Sequence, residues 1–186
     1  MTAIAHQYEE PLFRSAHDAL KFAFLFSSQQ YPVTAMAKLM KGIVGSGKGL
    51  VGLDGAAQAG FICGMLTELQ AQHRAVLTAK YARREDKRFI AAVNLLSMDP
   101  TIAPSGLSNR IERQALVGRH FGEKVSIVDV AELTGQHRNT VNKHHFVIRD
   151  RLRALEEAAY GAITDVFACR GVIEFMQVFG ERNGNV

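Results

Sequence analysis

His137, Arg138, Asn139, Asn142 and Lys143 crowd hydrogen-bonding side chains into one short window of the chain. Arginine and lysine donate to the guanine edge, asparagine pairs with adenine through two hydrogen bonds, and either type serves phosphates. Arg149, further along, is suited to a phosphate. The chemistry expected of these residues is recognition of double-stranded DNA. Bond-making chemistry has less to stand on. Gly42-Ile-Val-Gly-Ser-Gly-Lys48 opens like a phosphate-binding loop, but Gly49 stands where a Ser or Thr should reach a magnesium ion, and no buried strand precedes it. Lys48 is then left to a partner, a phosphate or water. The seven histidines and eighteen acidic residues form no paired-carboxylate, nucleophile–base or HxxxH arrangement, so no enzymatic activity, metal or cofactor is expected. His144 and His145 point about 100° apart on a helix, and His144 reads as a satisfied core or interface histidine. Cys63 and Cys169 lack a CxxC spacing and read as small buried hydrophobes.

The recognition residues need a tight turn between two helices to present them. Gly135 supplies the residue that tolerates a positive φ, Ala131 the small side chain where the helices approach, and Val141 an apolar contact beneath the second helix. Ser126 with Asp129 three residues later is an approximate capping box for the first helix. Val130, Leu133, Val141 and Ile148 are expected to fix the interhelical angle. Gln136 and His144 depart from this pattern, each standing where an apolar residue is usual. The second helix is expected to be long, because Val141, Ile148, Leu152, Leu155, Ala159 and Ile163 continue one apolar stripe while Arg149, Arg151 and Arg153 lie mostly off it. That stripe completes the chain's own core or forms the seam of a homodimer; both remain open at this point.

The rest of the chain reads as helical. Periodic apolar residues run from Leu12 to Phe26, from Val33 to Val44, from about Ala56 to Ala82 with a second start near His73-Arg74, from Phe89 to Met98, and from Leu107 or Ser108 to about Phe121, where Gly122 is placed as a cap. Gly42 to Gly60 holds seven glycines and is expected to be a loop or a set of turns. The charged run Lys80 to Arg88 is a break that could assist on phosphates. No useful β alternation occurs. The expected fold is therefore all-α, with a helical region over 1–106, a helix-turn-helix domain over 107–168 and a tail over 169–186. The net charge of +4 suits a polyanion without proving one. The apolar stretches are too short to span a bilayer and the N-terminus lacks a secretory pattern, so no membrane partner and a cytoplasmic location are expected.

Asp129-Val-Ala-Glu-Leu-Thr-Gly135, followed by Thr140-Val141, resembles the helix-turn-helix of bacterial repressors and of the promoter-reading region of sigma factors. In those families the first turns of the second helix enter the major groove. A broader pattern looks like the Q-type late-gene antiterminators of bacteriophages. It rests on Gly47-Lys-Gly-Leu-Val-Gly-Leu-Asp-Gly-Ala-Ala-Gln-Ala-Gly60, the helix Leu69 to Tyr81 with His73-Arg-Ala-Val-Leu77, and Leu116-Val-Gly-Arg-His-Phe-Gly122. Zinc-binding cysteines that some of those proteins carry are missing here. The resemblance implies binding near a late promoter, loading onto bacterial RNA polymerase paused with its sigma factor, and readthrough of terminators, with polymerase contact assigned to the N-terminal or glycine-rich part. Two alternatives are a simple operator-binding repressor or activator, and a phage DNA-packaging protein of the small-terminase kind.

Overall fold

The computed structural model describes residues 12–29 and 53–173. Seven α-helices fill most of them: α1 (Ala16–Gln29), α2 (Leu53–Met65), α3 (Ala71–Tyr81), α4 (Lys87–Met98), α5 (Arg110–His120), α6 (Ile127–Thr134) and α7 (Arg138–Cys169). A 3-10 turn over Leu66–Glu68 follows α2. The only extended pairing among the described residues is an isolated parallel bridge between Phe13 and Ile173, so the chain is all-α as expected.

Polar residues standing just before the helices set several of the starts. The Asp86 side chain accepts from Arg88 N at α4, and Asn109 accepts from Ile111 N and Glu112 N at α5. Each meets amide groups that have no partner within the first helical turn. The run expected from Ala56 to Ala82 is broken at Leu69 and Gln70, which are extended, and α3 begins at Ala71, slightly before the second start expected near His73. Buried residues keep their three-and-four spacing on both sides of the break, Ile62, Met65 and Leu66 before it and Ala75, Val76 and Ala79 after it. Periodicity alone therefore does not reveal the reversal.

The glycine-rich stretch differs from expectation at its end. The helical run expected from about Ala56 already starts at Leu53, within α2, so Leu53 to Gly60 belong to the helix and the loop expected to reach Gly60 ends before it. Gly55 shows why glycine is tolerated there, since a Cβ would stand 2.7 Å from Cε2 of Phe26 on α1. The helix-propensity cost of about 1 kcal/mol is set against the close approach of α1 and α2. The helical run expected over Val33 to Val44 and the stretch Gly42 to Gly52, with Lys48 and the phosphate-loop-like residues, lie outside the described residues.

α7 packs against α1, α2, α3, α5 and α6. Val141, Ile148, Leu152, Ala159 and Ile163 are each fully buried and Leu155 is partly buried against the same cluster, so the apolar stripe contributes to the chain's own core. One cluster of buried side chains draws on all seven helices, running from Phe13, Leu20 and Ile62 through Leu77, Phe89 and Leu116 to Val130, Ile148 and Phe167. No helix among the described residues is long and apolar enough to cross a membrane.

Candidate nucleic-acid interface

The turn between α6 and α7 is built by local hydrogen bonding. Ser126 Oγ accepts from Asp129 N at 3.0 Å while Asp129 Oδ2 accepts from Ser126 N at 3.0 Å, a complete capping box. Hydrogen bonds from Ser126 hold the Asp129 carboxyl below the usual carboxylate range. At the other end Gly135 adopts φ +66° and ψ 21°, the left-handed conformation its position was expected to need. Gln136 N then donates to Ala131 O at 3.0 Å, satisfying a carbonyl that the helix end would otherwise leave unpaired.

Val130, Ala131, Val141 and Ile148 are buried at the crossing. Leu133 is not; it is 67% exposed, contrary to its expected role in fixing the angle. The reason is helical geometry, because two residues beyond Ala131 lie about 200° around the helix, on the face turned away from α7.

Arg138, Asn139, Asn142 and Lys143 are all exposed on the first turns of α7, and their side chains make no hydrogen bond to another described residue. Asn139, Asn142 and Lys143 share the face opposite Val141 and Ile148. His137 plays a different part, since its Nδ1 caps α7 by accepting from Asn139 N at 3.2 Å. Arg149 sits to one side of the exposed face. It donates to Asp150 Oδ1 from Nε and Nη2, both at 2.9 Å, and its guanidinium lies 4.7 Å from the ring centroid of Phe146. Phe146 itself is 45% exposed on the same face as Asn139 and Asn142. Sequence reasoning passed over it, because an aromatic residue on a helix with an apolar stripe reads first as core.

A buried carboxylate that sequence reasoning also passed over positions the whole unit. Glu112 on α5 is fully buried, yet it accepts from Gln136 Nε2 at 2.6 Å through Oε2 and pairs with His144 Nδ1 at 2.7 Å through Oε1. With the carboxylate accepting, the ring proton of His144 lies on Nδ1. The two residues that depart from the helix-turn-helix pattern are thus the two partners of Glu112. That coincidence is the available signal: two polar residues in two usually apolar places call for one shared polar partner beneath them.

Two open clefts flank α7 where it crosses α5. One, about 370 Å³, is lined by Lys80, Arg84, His120, Gly122, Arg153 and Glu156 among others. The second, about 430 Å³, is lined by Arg119, His120, Glu123, His145, Arg149 and Arg153. Several of these charges are committed within the protein. Arg84 donates to the carbonyls of Phe121 at 2.7 Å and Gly122 at 2.8 Å, closing the turn after α5, where Gly122 has φ +90° and caps the helix as expected. Arg119 donates to Val125 O. Glu156 pairs with Lys80 and, at 2.6 Å, with His120 Nε2. Burial pushes the Glu156 carboxyl up, but the hydrogen bonds from His120 and Lys80 outweigh it and hold the group below the usual carboxylate range. His145 is held below the ordinary histidine range, first by burial and then by the positive charges of Arg119, Arg149 and His120. In the charged run from Lys80 to Arg88, Arg88 is bound to Asp86 and to Ser27 Oγ.

Among the described residues no three His, Cys, Asp or Glu side chains gather as a metal site requires. No protein-family model matches the chain, and no curated protein matches it.

Proposed function

We propose that this chain binds double-stranded DNA sequence-specifically through α6 and α7 and regulates transcription, with α7 as the recognition helix. One observation carries the reading: a capped, glycine-closed turn presents Arg138, Asn139, Asn142 and Lys143 on the outer face of a helix whose inner face is fully buried. Donors and acceptors left unspent at the N-terminal turns of such a helix are what base-edge recognition uses.

The finer reading is a phage or prophage late-gene antiterminator that loads onto RNA polymerase and its sigma factor. It rests on the likeness to the Q-type proteins and on the helical scaffold that precedes the turn, which is larger than a minimal helix-turn-helix needs. The test is transcription reconstituted from purified polymerase, sigma factor and a template carrying a site selected from random duplexes upstream of a terminator. The protein raises the fraction of full-length RNA, and substitutions at Arg138 and Asn142 abolish the effect by preventing loading. Occupancy of the site with altered initiation and unchanged termination leaves a simple repressor or activator. A closed ring of many subunits in solution favours a packaging protein instead.

A further inference from the structure

We propose that the cleft lined by Arg119, His145, Arg149 and Arg153 is a phosphate seat, holding the backbone of one DNA strand alongside the recognition helix. The proposal rests on the DNA-binding reading and adds a second contact surface to it. Arg153 carries the argument. It lines both clefts, and among the described residues its guanidinium has no hydrogen bond and no ion pair, whereas Arg84, Arg119 and Arg149 each have protein partners. Among the described residues His145 likewise has no hydrogen-bond partner, and Glu123 is the one acidic residue lining that cleft. A concave site with an excess of positive charge and unspent donors favours an anion.

Its position fits the backbone rather than the base edges. Three and four residues separate Asn142, Phe146, Arg149 and Arg153 along α7, so the cleft continues the outer face toward one flank, where a strand leaving the major groove would pass. A phosphate is the one repeating anion such a strand offers.

A proton follows the phosphate. The charged groups around His145 are Arg119 and His120 from α5, His120 being paired with Glu156, Glu123 beyond that helix, and Arg149, paired with Asp150, and Arg153 from its own helix. Their net positive charge, with burial, keeps the ring neutral in the free protein at neutral pH. A phosphate beside the ring reverses the balance and favours the imidazolium, so binding takes up a proton and tightens as pH falls.

The experiment measures duplex binding of the full chain by fluorescence anisotropy across a salt series, on a selected site and on a random duplex, for the parent, Arg153→Gln and His145→Gln. Arg153→Gln is expected to weaken both duplexes alike, by roughly tenfold. It should also make the slope of log K against log salt shallower by about 0.9. His145→Gln should flatten the rise in affinity between about pH 8 and about pH 6. Thermal melting at the parental temperature shows that either variant is folded. Unchanged affinity and salt slope in folded Arg153→Gln overturn the seat while leaving groove recognition intact, as does a loss confined to the selected site. A parent that binds no duplex overturns both readings.

Discussion

Removing the Glu112 carboxylate is the sharpest test of how the α6–α7 unit is held on its scaffold. In Glu112→Ala, the Gln136 amide and the His144 ring each lose an acceptor, at 2.6 Å and 2.7 Å respectively. A stranded donor costs about 1–3 kcal/mol, and neither residue is fully enclosed, with 20% of the His144 side chain exposed, so water recovers part of it. The total is about 2–5 kcal/mol, in line with breaking a buried polar pair from one side. For a chain of this size each kcal/mol moves the melting temperature by about 2–4 °C, giving a fall of about 4–20 °C by circular dichroism. Glu112→Gln should cost far less, near 1 kcal/mol, because its carbonyl oxygen still accepts from Gln136 while its amide donates to the other tautomer of His144. Replacing all three residues by apolar ones, Glu112→Leu with Gln136→Leu and His144→Leu, should recover much of the loss, since no polar group is then left unpaired. Glu112→Ala melting with the parent, or the triple variant melting as low as the single, refutes the argument.

At the turn, Gly135→Val should cost about 1–3 kcal/mol in melting and cripple DNA binding. No atom lies within 4 Å of a Cβ built there, so the cost comes from φ alone, and Gly135→Asn should be milder because asparagine tolerates that conformation. Asn139→Ala or Asn142→Ala should relax base preference at one position by about 1–3 kcal/mol; equal losses on selected and random duplexes would argue against direct readout. Glu156 has a lowered pKa in the folded chain, so its contribution is present above the unfolded carboxylate value of about 4.3 and is lost as pH falls through the folded value. The melting gap between the parent and Glu156→Gln should therefore close on acidification from about pH 6 to about pH 3, and a constant gap counts against the Lys80–Glu156–His120 cluster.

Much of the α6–α7 unit is legible in the sequence because its determinants are local. The Ser126–Asp129 box and the Gly135 turn depend on residues three to five apart, and the stripe from Val141 to Ile163 repeats within one helix. What stayed hidden depends on contacts across the chain. Glu112 lies 24 residues from Gln136 and 32 from His144 in sequence, and an isolated glutamate on a charged helix reads as solvated. Gly55 reads as a loop residue until Phe26 is seen against it. Leu133 shows the converse error, in which an apolar residue type was given a core role that its angular position on α6 denies it. The capping role of His137 was equally out of reach, because a histidine beside Arg138 and Asn139 reads as part of a binding surface.

The continuity of α7 has a mechanical consequence. Its 32 residues rise about 48 Å without interruption, and the far end is tied back to the start of the described chain by the bridge between Phe13 and Ile173. Within α7 no break separates its first turns from the helices packed along the shaft. On a duplex, the α1–α4 scaffold would stand at one fixed azimuth and height above the groove, like a flag on a rigid pole. A protein that touches both this scaffold and the same DNA would then be sensitive to helical phase. Adding about 5 base pairs, half a turn, between the two sites would carry the scaffold to the opposite side of the duplex, whereas adding about 10 would restore it.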